Sequence, residues 1–152
     1  MNIVKGLAVA AVLGGGAVAL AAPAWADDFI GKYVYVSPAS AHEPRITTTW
    51  TVTPCGPGCA HIVSASGLTN ADAHLVGGQW VLVRYSDTAF FCADGTRAAG
   101  TIRYTFDPKT LQGQNAADPA PVCGFPMISS TPNQFTLTKV GSGVTGSAMV
   151  HD

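Results

Sequence analysis

The sequence predicts an all-β protein: one antiparallel domain of roughly eight short strands and two disulfides, folded as an up-and-down barrel or a closed sandwich. Three observations carry this. After residue 26, short runs rich in Val, Ile, Thr, Tyr, Phe and Trp recur between Gly, Pro and Asp, with little helical period. Several runs alternate apolar and polar side chains with period two, as a half-buried strand requires. All four cysteines lie beyond residue 26, in a chain that opens like an exported one, and an even count there reads as two bridges. Barrel closure would also remove the unpaired edges that an open sheet exposes.

The N-terminus is read first. Met1-Asn2-Ile3-Val4-Lys5 carries one positive side chain, an uncharged run spans residues 6–23, and Ala24-Trp25-Ala26 precedes Asp27-Asp28. This is the pattern of a secretory signal, residues 1–26, cut after Ala26. A membrane helix of roughly 17–25 apolar residues could be made from the same run. Its Ala- and Gly-rich composition, with Gly14-Gly15-Gly16 in the middle, favours removal over retention as an anchor. No transmembrane span is then expected. No cysteine follows the run, which argues against a lipid-modified terminus. Residues 27–140 form the expected β domain and 141–152 a flexible tail of small residues.

The strands follow in order. In 30–36, opened by Gly31, Tyr33 and Tyr35 share one face and Val34 and Val36 the other. The clearest strand is 46–53, where period two sends Trp50 and Val52 inward and the odd-numbered threonines toward water. Residues 60–65 form the next. Residues 73–76 and 79–85 flank Gly77-Gly78, a hairpin signal because both central residues tolerate positive φ. Trp80 and Leu82 share a face with Arg84. Cys92-Ala93-Asp94-Gly95-Thr96 reads as a turn. In 100–106, Ile102, Tyr104 and Phe106 alternate with Thr101, Arg103 and Thr105. Asp107-Pro108-Lys109-Thr110 favours a type I turn, after which 111–115 returns antiparallel. Residues 116–132 are loop-like and 134–140 form the last strand, with Phe135 and Leu137 on one face.

Four cysteines allow three pairings. The favoured one joins Cys55 to Cys59 across the flexible Gly56-Pro57-Gly58 loop, and Cys92 to Cys123. Chain entropy assigns roughly 3–4 kcal/mol to the longer closure and about 2 kcal/mol to the shorter.

Composition narrows function. The formal charge is −1 and only 11% of residues are charged, so no basic stripe exists for nucleic acid and long-range steering is weak.

An ordered set of strings adds a resemblance. Thr49-Trp50-Thr51-Val52 with Cys55-Gly56-Pro57-Gly58-Cys59-Ala60 is followed by Cys92-Ala93-Asp94-Gly95-Thr96. Phe106-Asp107-Pro108-Lys109-Thr110-Leu111-Gln112-Gly113 and Phe135-Thr136-Leu137-Thr138-Lys139-Val140 complete it. Together they resemble a group of small exported proteins of mycobacteria and related actinobacteria, over most of the chain beyond residue 26. The resemblance implies an extracytoplasmic single domain and brings no functional residue with it.

Candidate chemistry is sparse. A redox pair usually has two residues between its cysteines at a helix start. Cys55 and Cys59 have three, between strands, so a structural bridge is expected. Cys55, Cys59, His61 and His74 could be assembled into a zinc set, but oxidation would consume the thiolates zinc needs; no metal or other cofactor is expected. His42-Glu43, in a loop bounded by Pro38 and Pro44, reads as solvated rather than as an acid–base pair. Asp94 and Asp107 read as turn formers rather than calcium ligands. No Gly-x-Ser-x-Gly elbow frames a nucleophile. The aromatic set Trp50, Trp80, Tyr104, Phe106 and Phe135 either fills the barrel or lines a pocket, filling being the expected use of so small a barrel.

The expected protein is therefore a noncatalytic domain, secreted or associated with the envelope, whose partner is an envelope or extracellular protein. The alternative is a carrier of an apolar small molecule in the barrel interior. An envelope-acting hydrolase ranks last, supported by compartment alone.

Overall fold

A computed structural model describes residues 28–141. The expected cleavage point after Ala26 and residues 142–152 of the expected tail lie outside the described residues. Eight strands follow one another: β1 (Gly31–Ser37), β2 (Ile46–Gly56), β3 (Cys59–Ser64), β4 (Asn70–Val76), β5 (Gln79–Phe91), β6 (Arg97–Phe106), β7 (Gln112–Ala117) and β8 (Asn133–Lys139). Each is antiparallel to its sequence neighbours, and β8 pairs back onto β1, so the sheet closes as an up-and-down barrel. Of the two architectures compatible with the pattern, closure is the one formed.

Alternation places the side chains as period two requires. Tyr33, Tyr35, Trp50, Val52, Trp80, Leu82, Tyr104, Phe106, Phe135 and Leu137 are all buried, while Val83 and Tyr85 face out. Both disulfides have the favoured pairing, Cys55–Cys59 and Cys92–Cys123, and no described cysteine is free. Such bridges fit an oxidising, extracytoplasmic environment.

Several boundaries differ from the sequence reading. β4 begins at Asn70, because 70–72 pairs with β3 through Ala71↔Ile62 and Asp72↔His61. β5 does not stop at Tyr85. After an irregularity between Ser86 and Phe90 it resumes pairing, Phe90↔Ala98 and Phe91↔Arg97, so β5 and β6 project beyond the barrel as an arm. The arm's tip is the expected Cys92–Thr96 turn, in which Asp94 Oδ1 accepts from the Thr96 N–H at 2.9 Å. Leu111 does not start a strand: its φ is +57° and its N–H bonds to the Asp107 carbonyl at 2.9 Å, extending the turn by one residue. Asp107 closes that turn by accepting from the backbone N–H groups of Lys109 and Thr110 at 2.7 and 2.8 Å. β7 then runs on through Ala117, which shortens the expected 116–132 loop.

The strand directions give the barrel two ends. One carries the β2–β3 hairpin tip with Cys55–Cys59, the β4–β5 turn and the β6–β7 turn. Here Phe29, 2% exposed, inserts its ring against Tyr33, Trp80 and Phe106 at 4.8, 5.4 and 5.2 Å between centroids. Gly113 lets this end close. A Cβ there would sit 2.5 Å from Phe106 Cβ and 2.8 Å from the Phe135 ring, besides meeting the Thr105 carbonyl. Eight strands leave an interior that side chains alone fill. Aromatic contacts of this kind contribute about 0.5–1.5 kcal/mol each beyond the area they bury. The other end carries Ser37, Arg84, Ile102, Ala117 and Asn133, and it is not filled.

Candidate functional site

Four segments frame the unfilled end: the loop 38–45 between β1 and β2, the turn 65–69 between β3 and β4, whose Leu68 lines the mouth, the β5–β6 arm, and the loop 118–132 between β7 and β8. The loop 38–45 is organised rather than merely solvated. Ser40 caps it, its N–H bonding the Glu43 carbonyl at 2.8 Å and its Oγ accepting from the Glu43 N–H at 3.2 Å. Glu43 then meets Arg97 of the arm at 2.5 Å. The His42 ring stacks on Phe91 at 4.5 Å, interplanar angle 16°, and the Arg97 guanidinium lies over Phe91 at 5.1 Å. On the other side, Cys92–Cys123 ties the arm to the loop 118–132. That loop folds back through an Ala120↔Ile128 bridge, and Ser130 Oγ accepts from the Ala117 N–H at 2.7 Å.

These segments enclose a cleft of about 410 Å³ walled by His42, Ala89, Phe90, Phe91, Arg97 and Ile128. It adjoins a smaller cavity of about 200 Å³ that enters the barrel mouth and reaches Tyr35, Arg84, Ile102, Tyr104 and Asn115. Glu43, Ala89, Ser130, Thr131 and Asn133 line both, so the two spaces are contiguous.

The cavity floor is polar by design of the alternation. Arg84 follows Trp80 and Leu82 in phase and therefore points into the barrel, half-buried. Its Nε donates to Tyr104 Oη at 3.0 Å, and its guanidinium carbon lies 5.6 Å from the Tyr104 ring. Asn115 Nδ2 donates to Tyr35 Oη at 3.0 Å. Desolvation, with Tyr104 close by, pushes the Tyr35 phenol far above its ordinary value, so it stays protonated at any physiological pH. Among the described residues no carboxylate pairs with Arg84.

The aromatic set is divided by this geometry. Trp50, Trp80 and Phe135 lie in the packed core; Phe106 joins them, its edge touching a shallow groove beside Gly113. Tyr104 alone of the set lines the mouth cavity. Trp80 Nε1 is buried without a hydrogen-bond partner among the described residues, which costs about 1–3 kcal/mol.

The other candidates fall away from this site. Cys55, Cys59 and Asp72 present donor atoms within 4.8 Å of one another, but the sulfurs are bonded together and offer no thiolate. His61 pairs with Asp72 through Nδ1 at 2.6 Å on the outer face of the barrel. His74 lies opposite Cys59 in the register. The carboxylates of Asp94 and Asp107 are held below their ordinary pKa by hydrogen bonds from their own turns, the Thr96 hydroxyl and the Thr110 N–H being the largest causes.

Tyr35, Arg84, Asn115 and the arm residues Phe90, Phe91 and Arg97 were not singled out as site residues from sequence. The signal for Arg84 was present: a guanidinium at an inward position of a strand whose other inward residues are Trp80 and Leu82. No protein-family model, curated protein or solved structure matches the chain.

Proposed function

We propose that the chain is an exported, noncatalytic binding domain that holds an extracytoplasmic ligand at the open end of its barrel. One observation carries the reading: one end of the barrel is plugged by Phe29 while the other leads into a walled cleft of about 410 Å³. That volume lies in the range of small-molecule sites, roughly 300–1,000 Å³. The cleft is also pre-organised, by the Cys92–Cys123 bridge on one side and the Glu43–Arg97 pair on the other. A carrier role thus belongs to the cleft and mouth, not to the packed interior around Trp50 and Trp80.

The secretory pattern of residues 1–26 and the two bridges support secretion or envelope association. The His42 ring stacks on Phe91 and serves as a wall of the cleft. A second reading, an envelope or extracellular protein as partner, is favoured by Phe125 and Met127, exposed by 58% and 62% on the loop that Cys123 tethers.

Two measurements test the proposal. Intact mass of the exported protein should begin at Asp27 and lie about 4 Da below the reduced mass, as two disulfides require. NMR titration of the oxidised mature domain with envelope extract should move signals in 38–45, 84–97 and 115–133. Shifts centred elsewhere, or none, would sink the reading.

A further inference from the structure

We infer that the mouth cavity is a carboxylate-binding site, with Arg84 and Tyr104 as its anion-recognising pair, and that the ligand carries an apolar body lying in the adjoining cleft. The inference rests on the proposal that the open end is the binding end.

Four observations support it. First, the half-buried Arg84 guanidinium lines the barrel mouth directly above the aromatic core, and among the described residues it has no carboxylate partner. Charges held out of bulk water are ordinarily paired. Here only the Nε is engaged, by Tyr104 Oη at 3.0 Å, so both terminal nitrogens of the fork are without a protein acceptor among the described residues. Second, Tyr104 Oη receives that hydrogen bond, so its own proton is available to another acceptor, and no described group takes it. Tyr35, kept protonated by burial, lines the same cavity with its hydroxyl already fixed by Asn115. Third, Glu43 reaches the cavity but is matched by Arg97, so it cannot neutralise Arg84 without giving up that pair. Fourth, the walls change character outward, from the phenols and guanidinium to Ala89, Phe90, Phe91 and Ile128.

These features select the ligand class. A planar guanidinium fork matches a carboxylate in bidentate fashion. A phosphate ester carries up to two charges and would meet one cation only, with Glu43 on the same wall. The small cavity suits a headgroup, and the larger cleft suits a hydrocarbon or ring body. The carboxylate would enter head first, accepting from Arg84 and Tyr104 while its body displaces water from Phe90 and Ile128.

The test uses the oxidised mature domain and three probes of one chain length: octanoate, 1-octanol and octyl phosphate, followed by NMR. Octanoate should shift the Arg84 Nε–H and the Tyr35 and Tyr104 ring signals, and bind roughly tenfold or more tighter than 1-octanol, as loss of a charge-assisted hydrogen bond implies. Arg84→Gln should erase that advantage, bringing octanoate affinity down to that of 1-octanol. Should that variant fold poorly, Tyr104→Phe removes only a hydroxyl and should weaken octanoate severalfold. Equal binding of octanoate and 1-octanol at the open end would overturn the carboxylate site while leaving the open end as the binding surface. Tighter binding of octyl phosphate would overturn the choice of anion. No shift at the open end with any probe would also overturn the inference, and the extract titration would then judge the wider reading separately.

Discussion

The two ends of this barrel are built from the same strands and the same kinds of residue, yet they do opposite things. At the plugged end, Phe29 and Phe106 have no polar atoms, Trp80 Nε1 has no partner among the described residues, and the one phenol, Tyr33, turns its hydroxyl outward to donate to the Asp28 carbonyl at 3.1 Å, away from the interior. At the open end the rings carry hydroxyls: Tyr35 and Tyr104 pack on Trp50 and Phe135, yet their oxygens turn toward Asn115 and Arg84. Each end has its own disulfide. Cys55–Cys59 closes a hairpin tip four residues apart in sequence, whereas Cys92–Cys123 joins two loops thirty-one residues apart and so shapes the cleft.

Experiments that break this contrast can be ranked by size. Removing the shared central ring should cost most: Trp50→Ala, at 1% exposure, should destabilise by about 3–5 kcal/mol in denaturant unfolding. A loss below about 1 kcal/mol would mean that the ring cluster joining the two ends does not carry the barrel's stability. Next come the bridges. Replacing Cys92 and Cys123 together by Ala should cost about 3–4 kcal/mol, and replacing Cys55 and Cys59 about 2 kcal/mol. Only the first exchange should alter proteolysis of loop 118–132.

Arg84→Met should change unfolding free energy by less than about 1 kcal/mol in either direction. The hydrogen bond to Tyr104 is lost, but so is the cost of an uncompensated charge. A large destabilisation would identify Arg84 as a structural group and weaken the contrast between the ends.

The smallest effect is on pH dependence, and it compares Tyr33 with Tyr35. Desolvation raises both phenols above 10, and Tyr35 further. The unfolded chain ionises near 10, so the stability these groups contribute is intact below that pH and is lost as pH rises beyond it. Between pH 9 and pH 11 the urea midpoint should fall, and Tyr35→Phe should reduce that fall more than Tyr33→Phe does. Equal effects would mean that the open end is as wet as its cleft suggests.

Much of the barrel was legible because alternation is a local property. The strand 46–53 and the inward trio Ile102, Tyr104 and Phe106 follow from period two alone, and the Gly77-Gly78 hairpin from its turn residues. The β5–β6 arm was not legible. Ser86-Asp87-Thr88-Ala89 breaks the apolar alternation, and pairing resumes only because Phe90 finds Ala98 across the irregularity, its ring edge resting where a Cβ on Gly100 would intrude at 2.6 Å. The extension of β4 back to Asn70 likewise needs β3 as a template, since Asn, Ala and Asp have little strand preference of their own.

By itself, the sequence determined the all-β class and the inward residues, because each depends on neighbours within a few residues or on composition, and it favoured, without deciding, the cysteine pairing that forms. Tertiary structure alone decided that the sheet closes, that Phe29 plugs one end, and that Arg84, Tyr35, Tyr104 and Asn115 meet at the other. Those four residues come from four different strands. Only strand register around a closed ring brings them together, and register is a property of the whole sheet.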